Sequence, residues 1–191
     1  VGQLSARPLS WEGMQHTLDM LGVRDIGHVD GLITNTPGTA LTMNFADCAP
    51  IFIYDPVQHA IGLGHAGWKG AVVDLPGAMV QAMVRAFGSR PADLLAAVGP
   101  AIGVDHYEVD EPVISEVGAA FADADSLLVA QPGKARPHFD LSEANRRNLA
   151  QAGVGHIELA GLCTHARTDL FFSHRGENGR TGRFGSILVL Q

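Results

Sequence analysis

A thiol and an imidazole are the residues whose types and spacing best suit chemistry in this sequence. Cys48 follows Asp47, and His65 lies seventeen positions later in a glycine-rich stretch, GLGHAGWKG at 62–70. This separation suits two adjacent strands whose ends meet, and the glycines let the backbone approach a ligand closely. A thiolate beside an imidazole suits a zinc or copper ion, and it equally suits a Cys–His nucleophile pair. The spacing alone leaves both alternatives open.

Several charged side chains can serve such a site. Asp47, next to Cys48, can orient an imidazole, act as a base or cap a turn, and its position does not choose among these roles. The segment SHRGENGRTGR at 173–183 carries three arginines, although the whole chain has a net charge of −7. This segment is either a solvated hairpin loop or a site whose guanidinium donors bind phosphate or carboxylate. Lys69 can contribute to the same anion site.

Five other histidines are expected to be structural. His59, His138 and His156 lie in turn or edge sequence, so we expect them to face solvent. His165 and His174 lie near the arginine-rich segment, where we expect them to form hydrogen bonds rather than bind a ligand. Because a single residue is weak evidence for a ligand site, none of these five is a candidate site residue.

The elements that must position Cys48 and His65 are strands. Between 31 and 54 the pattern indicates a strand, a turn and two strands, at 40–43 and 50–54; further strands are predicted at 60–65, 94–98, 157–159, 171–174 and 186–190. Helices are predicted at 70–87, 112–121 and 140–153, with a kink or a late start at Pro76 and a capping-box-like start at 140–143. Since helices and strands alternate without a linker or repeat, we expect a single domain over residues 1–191.

The composition of the 191-residue chain disfavours several classes of function. Hydrophobic residues make up 46% and charged residues 17%, which is typical of a globular protein with a buried core. The 13 Lys and Arg residues against 20 Asp and Glu residues disfavour binding to nucleic acid. No apolar run approaches the roughly 20 residues of a membrane helix, and no signal-peptide pattern occurs, so we expect a cytoplasmic protein. A disulfide between Cys48 and Cys163 is then disfavoured.

Motifs in a fixed order along the chain resemble those of the YfiH/laccase-domain family. The first three are ADCAP at 46–50, HAGWKG at 65–70, and GPAIG at 99–103 followed by YEV at 107–109. The closing motifs are Cys163-Thr164 and the segment FSHR at 172–175 that continues to TGR at 181–183. The match runs from about Asp30 to Gln191, and the pairing of the first two motifs at this spacing is highly specific.

The resemblance implies a fold and an activity. The implied fold is mixed α/β (α+β), a layered sandwich of mixed β-sheet and helices of the CNF1/YfiH kind. The implied activity is that of a purine nucleoside phosphorylase acting on adenosine, inosine and methylthioadenosine, with adenosine deaminase activity, so that the protein is both a transferase and a hydrolase. Small-molecule purine nucleosides and phosphate are the implied partners. The family was first described as copper-dependent polyphenol oxidases.

The resemblance also implies a metal centre. In the family one Cys and two His bind a metal that is usually described as zinc, and Cys48 and His65 match two of these ligands. The third ligand is the His of a Gln-Val-His segment, which this sequence does not contain. We therefore expect residues 1–191 to lack the family's N-terminal segment, and His16 and His28 are weak substitutes for the third ligand.

Residue types suggest further roles at this centre. We expect Asp47 to move protons, beside Cys48 and His65 as the metal-binding and catalytic pair. The cations expected to bind substrate phosphate are Lys69, Arg175 and Arg183. The aromatic side chains expected to stack on the purine base are Phe45, Trp68 and Tyr107. Phe45 stands where the family commonly has Thr.

Other functions are kept as alternatives. A laccase-like, copper-dependent phenol oxidase is one, although a usual laccase needs His-x-His pairs and this sequence has none. A hydrolase with Cys48 as its nucleophile is another, and a non-catalytic binding protein is the third. Metal analysis, nucleoside and phenol assays, and alkylation of Cys48 distinguish them.

Overall fold

The computed structural model describes residues 29–191, which form short strands, turns and helices. In chain order the strands are β1 (Gly31–Thr34), β2 (Ala40–Phe45), β3 (Ala49–Asp55), β4 (Ala60–Ala66), β5 (Leu95–Val98), β6 (Leu128–Val129), β7 (His138–Phe139), β8 (His156–Leu159) and β9 (Phe184–Val189). The α-helices are α1 (Trp68–Val72), α2 (Leu75–Phe87), α3 (Val113–Ala120) and α4 (Leu141–Gln151). Within this described part, no helix combines the length and the apolar character that a bilayer crossing requires.

A five-stranded sheet in the order β1-β4-β3-β5-β8 forms the middle layer. The first four of these strands pair antiparallel and β8 joins β5 in parallel, so the sheet is mixed. Successive side chains of β3 point to opposite faces. Ile51 and Ile53 therefore pack in one core cluster with Met79 of α2, whereas Phe52 packs against the cluster that contains Leu41 of β2.

Helices cover one face of this sheet and a smaller sheet covers part of the other. Met83 of α2 and Leu149 of α4 are fully buried in the larger core cluster. On the opposite face β2 and β9 pair antiparallel, and Leu190 directly after β9 is buried in the smaller cluster. The mixed α/β sandwich that the resemblance implied is confirmed.

The helical segment after β4 forms two helices, α1 and α2, rather than one helix over 70–87. Pro76 is the second residue of α2, so the late start is confirmed. Asp74 has a left-handed backbone (φ 54°), and its carboxylate accepts a hydrogen bond from the Gly77 N–H at 3.0 Å. This cap satisfies one of the N–H groups that the first helical turn leaves free. Left-handed Gly88 ends the helix.

The strand predicted at 171–174 is wrong. The segment forms a turn in which the Ser173 hydroxyl accepts a hydrogen bond from the Gly176 N–H (2.9 Å) and the Ser173 N–H donates to the Glu177 carboxylate (3.1 Å). These local bonds use the polar groups that a strand would offer to a neighbouring strand. Ser173 is fully buried as a result of this arrangement.

The expectation that His138 faces solvent is also wrong. Its side chain is 3% exposed, and its Nδ1–H donates to the Val104 carbonyl oxygen at 2.7 Å. His138 belongs to the two-residue strand β7, whose pairing with β6 places it beside the fully buried Phe139. His59 and His156 are exposed, as expected.

Glu143 in the first turn of α4 binds two arginines of the same helix. The Arg146 Nε and Nη2 atoms lie 2.6 and 2.7 Å from its carboxylate oxygens, and the Arg147 Nε atom lies at 2.8 Å. These hydrogen bonds, above all those from Arg146, lower the pKa of Glu143 from 4.5 to about 2. The helix start is thus stabilised by a charge that persists into acidic solution.

We expect Glu143→Gln to lower the free energy of unfolding by about 1 kcal/mol at pH 7, a small value because both ion pairs are partly exposed. Since the folded-state pKa lies below the unfolded-state pKa, the stabilisation is complete above about pH 5 and is lost as the pH falls toward 2. Urea unfolding between pH 7 and pH 3 should show that the difference in free energy of unfolding between wild type and Glu143→Gln becomes smaller as the pH falls. Glu116→Gln, which removes an exposed charge from α3, is the control. The same difference in free energy of unfolding at every pH would show that the Glu143 charge is not its source.

Candidate functional site

A cavity of about 580 Å³ lies at the end of the five-stranded sheet where β3 begins and β4 ends. Its walls include seven of the nine residues that the sequence placed around the centre: Asp47, Cys48, His65, Trp68, Tyr107, Arg175 and Arg183. These residues come from distant segments of the chain, which only folding brings together. The volume lies within the roughly 300–1,000 Å³ that is usual for small-molecule sites.

Strand pairing places Cys48 and His65 on the same cavity. In the antiparallel pair of β3 and β4, Pro50 lies opposite His65 and Ala49 lies opposite Ala66. Cys48 directly precedes β3, so its side chain reaches the same end of the sheet as the imidazole. Gly67 passes so close to the thiol that an added Cβ would lie 2.7 Å from the Cys48 Sγ atom. Glycine at position 67 therefore leaves the space that the sulfur occupies.

The His65 ring is held by groups on both of its sides. Its Nδ1 atom lies 3.0 Å from the Asp30 carboxylate, and its ring centroid lies 5.4 Å from that of Phe45. Since the carboxylate accepts the Nδ1–H, the Nε2 lone pair is the one available to a ligand. The sequence prediction missed Asp30. The signal was its place directly before β1, whose first residue Gly31 pairs with Gly64 beside the imidazole.

The Cys48 thiol lies in surroundings that disfavour its charge. Burial, with a smaller contribution from Asp47, raises its pKa from 9.0 to about 11, and Arg183 opposes this rise. A thiol with this pKa is a weak nucleophile at neutral pH. A bound metal cation supplies the positive charge that a thiolate needs in such a place.

Asp47 is a buried junction between three segments. Its Oδ1 atom accepts a hydrogen bond from the Thr164 hydroxyl and its Oδ2 atom accepts one from the Arg175 N–H, both at 2.7 Å. Its carbonyl oxygen accepts from the Ile102 N–H at 2.9 Å. The side chain is 8% exposed and the backbone has φ 80°. Asp47 thus fixes the loop before Cys48, a role that its position in the sequence left open.

Arg175 and Tyr107 form a rigid wall of the cavity. The Arg175 guanidinium lies 5.4 Å from the centre of the Tyr107 ring, and its Nη1 atom donates to the Glu108 carbonyl oxygen at 2.8 Å. Burial, followed by the nearby Cys48, raises the pKa of Tyr107 to about 12. Arg183 is exposed at the cavity and donates from Nη1 to the Gly182 carbonyl oxygen.

Some predicted residues lie elsewhere, and one that was set aside lines the cavity. Lys69 is exposed on α1 with its Nζ atom 5.6 Å from the Trp68 ring, and it does not line the cavity, although Trp68 does. The expectation that Phe45 stacks on a base is wrong, because Phe45 is fully buried and packs against Phe184. His174, which we expected to be structural, is a lining residue.

The donor atoms present suit a zinc or copper ion in type. A thiol and an imidazole face one cavity, and a carboxylate binds the second nitrogen of that imidazole, as is common behind metal-binding histidines. Among residues 29–191 no group of three His, Cys, Asp or Glu side chains is arranged to hold a metal. Cys48 and His65 stay predicted metal ligands, and the substitutes for the third ligand, His16 and His28, lie outside the described residues.

Comparison with known proteins identifies the family. A model of the family described as multi-copper polyphenol oxidoreductase laccase matches residues 3–191. The chain belongs to this family. The resemblance found in the motifs of the sequence is thereby confirmed.

Relatives within this laccase family carry enzyme names. The chain is 42% identical to purine nucleoside phosphorylase YlmD of Bacillus subtilis, over 85% of this chain and 59% of that protein. It is 34% identical to adenosine deaminase RL5 of an unknown prokaryotic organism, over 81% of this chain and 60% of that protein. The crystal structure of the Bacillus licheniformis hypothetical protein YfiH superimposes with a TM-score of 0.80 at 41% identity, covering 85% of this chain and 61% of that one. The chain thus spans about three fifths of the length of these relatives.

Proposed function

We propose that the protein is a metal-dependent purine nucleoside phosphorylase that also deaminates adenosine, with its active site in the cavity around Cys48 and His65. The observation that carries the proposal is the composition of this cavity, where a Cys–His pair faces two arginines and a tyrosine. The names of the relatives support the same reaction class. The two free thiols, Cys48 and Cys163, suit the reducing cytoplasm, in which we place the enzyme.

Phosphorolysis requires phosphate to be held beside the sugar. A phosphate oxygen attacks C1′ of the ribose, and the bond from C1′ to the purine nitrogen breaks. Arg183 suits phosphate binding because it is exposed at the cavity, with guanidinium N–H groups beyond the one bonded to Gly182. Arg175 is held against Tyr107 and Glu108, so its charge is preorganised rather than mobile.

The purine base needs a flat apolar surface and a polar partner. Trp68 and Tyr107 both line the cavity and can contact the faces of a base. The high pKa of Tyr107 keeps its hydroxyl protonated, so that it can donate a hydrogen bond to a purine ring nitrogen. We assign Asp47 to positioning Cys48 and Arg175, because both of its carboxylate oxygens already accept hydrogen bonds.

Deamination adds one chemical requirement, an activated water. Cys48 and His65 would hold a zinc ion, and the chemistry that such an ion would supply is a lower pKa of a water molecule in the cavity. Asp30 keeps the Nδ1 proton of His65 in place, so that Nε2 stays a lone-pair donor. Residues 29–191 contribute the two ligands and the walls that exclude bulk water.

Phosphate-dependent release of hypoxanthine from inosine tests the proposal. We expect Arg183→Gln to raise the KM for phosphate about tenfold or more with little change in the KM for inosine, because a charge-assisted phosphate contact is lost. Arg180→Gln is the matched control, since it removes an exposed arginine of the same segment that does not line the cavity. An equal rise in the KM for phosphate in both variants would show that Arg183 does not bind phosphate.

The same sample distinguishes the alternatives. Oxygen consumption with phenols, restored by copper and not by zinc, would favour the phenol oxidase. Base release that does not depend on phosphate would indicate a hydrolase. Absence of base release after loading with either metal would reject the phosphorylase.

A further inference from the structure

The second cysteine lies in surroundings unlike those of the first. The Cys163 Sγ atom accepts hydrogen bonds from the Gly103 N–H at 3.1 Å and from the Ala166 N–H at 3.4 Å. The His106 Nδ1 atom lies 3.5 Å from the same sulfur. Two backbone N–H donors and one imidazole therefore point at this sulfur. The side chain is half-buried, so reagents in solution can reach it.

The His165 ring packs against the His106 ring. The rings of His106 and His165 are stacked with centroids 4.3 Å apart and planes inclined by 23°. Burial and the neighbouring His106 lower the pKa of His165. The stack therefore holds His106 against the sulfur, where its Nδ1 atom is placed to accept the thiol proton.

Gly103 is part of this arrangement. A Cβ atom at position 103 would lie 3.1 Å from the Cys163 Cβ atom and 3.2 Å from its Sγ atom. Such an approach is tighter than side chains usually tolerate, so the absence of a side chain allows the Gly103 N–H to reach the sulfur. The bridge between Ala101 and Cys163 fixes the two segments next to each other.

We infer that Cys163, with His106 as its proton partner, is a nucleophilic thiol centre that reacts with hydroperoxides and other soft electrophiles, separate from the Cys48–His65 site. The Cys163 proton passes to His106, and the sulfur attacks the terminal oxygen of a hydroperoxide. The O–O bond breaks, the sulfur loses two electrons and becomes a sulfenic acid, and the departing alkoxide takes the proton from His106 and leaves as an alcohol. With iodoacetamide the same sulfur forms an S–C bond and iodide departs. This reactivity is independent of the proposed nucleoside chemistry.

Alkylation kinetics test the inference. Iodoacetamide labelling at pH 7, followed by peptide mass spectrometry, gives separate rates for Cys163 and Cys48 in the native protein and in urea. We expect native Cys163 to react about five- to tenfold faster than Cys163 of the unfolded chain, since the two N–H donors and the His106 ring at the sulfur promote its attack more than partial burial slows it. Native Cys48 should react more slowly than its unfolded reference. Dimedone should trap a sulfenic acid at Cys163 after peroxide treatment.

A matched pair of variants assigns the effect to His106. His106→Gln should bring the native Cys163 rate down to the unfolded value or below, whereas His156→Gln, which changes an exposed histidine on β8, should leave it unchanged. If His106→Gln does not fold, the comparison of native and unfolded wild type decides alone. A native Cys163 rate at or below the unfolded rate overturns the inference, as does an unchanged rate in folded His106→Gln.

Discussion

His65→Ala is expected to lower kcat/KM for phosphorolysis by on the order of 10³-fold while the protein stays folded. The side chain is about one third exposed and contacts the ring of Phe45, so its loss costs little packing. The same change removes one of the two proposed metal ligands and leaves the Asp30 carboxylate without its imidazole partner. Activity with inosine and phosphate, the metal content by elemental analysis and the unfolding midpoint in urea should be measured together.

A comparison of His65→Ala with Asp30→Asn distinguishes the role of the imidazole from that of the carboxylate that orients it. Asp30→Asn keeps an acceptor oxygen near the imidazole but removes the charge, and we expect a loss of about 10- to 100-fold in metal affinity. His156→Ala is the control, because that histidine is exposed on β8 outside the cavity. Retention of more than a tenth of wild-type activity and of full metal content in His65→Ala would contradict the assigned role. Metal content remains informative even if the natural substrate is not inosine.

The sequence predicted the part of the site that two consecutive strands form. Cys48 and His65 stand at the ends of two strands that form a hairpin, so their spacing and the flanking apolar runs indicate their meeting. Asp30 was missed because its position depends on the register in which β1 pairs with β4, which the sequence does not show. Thr164 was missed for a similar reason: its hydroxyl reaches Asp47 only after most of the chain between them has folded.

The two wrong predictions about the fold, the strand at 171–174 and the exposure of His138, also concern residues whose conformation depends on other segments. The apolar pair Phe171-Phe172 favours a strand locally, but the Ser173 turn and the packing of Phe171 against Phe184 decide the conformation. His138 lies in a polar stretch of sequence, and it is buried by contacts with other segments: the pairing of β7 with β6, a bridge to Glu108 and the hydrogen bond to the Val104 carbonyl oxygen. Strands and helices with long apolar patterns, such as β3 and α2, lie close to where the pattern indicates. The conformation of the short elements depends on contacts with other segments of the chain.

Asp47 shows how such long-range contacts support the site. Its carboxylate joins the loop before Cys48 to Thr164 and to the backbone of Arg175, while its left-handed φ of 80° turns the chain into β3. Thr164 is fully buried, so its hydroxyl has no access to water if the carboxylate is removed. Loss of Asp47 should therefore disturb both the loop before Cys48 and the segment that carries Arg175.

We expect Asp47→Ala to lower the free energy of unfolding by about 3–5 kcal/mol, because the buried Thr164 hydroxyl and the partly buried Arg175 N–H lose their acceptor and alanine disfavours the left-handed backbone. Asp47→Gly should cost about 1 kcal/mol less, since glycine adopts that backbone freely. Asp47→Asn should cost about 1–2 kcal/mol, because one acceptor oxygen stays and the amide nitrogen faces the Arg175 N–H. Urea unfolding measures all three. A value within 1 kcal/mol of wild type for Asp47→Ala would show that the carboxylate does not join these segments.

A double-mutant cycle isolates the bond between the carboxylate and the hydroxyl. Thr164→Val keeps the shape of the buried side chain and removes only its hydroxyl, so it leaves one Asp47 oxygen without a donor. In combination with Asp47→Ala we expect a coupling energy of about 1–2 kcal/mol, because the two substitutions remove the same hydrogen bond. Additive effects would mean that each residue stabilises the fold through other contacts, and Asp47 would then lose its role as the connection between Cys48 and the segment after Cys163.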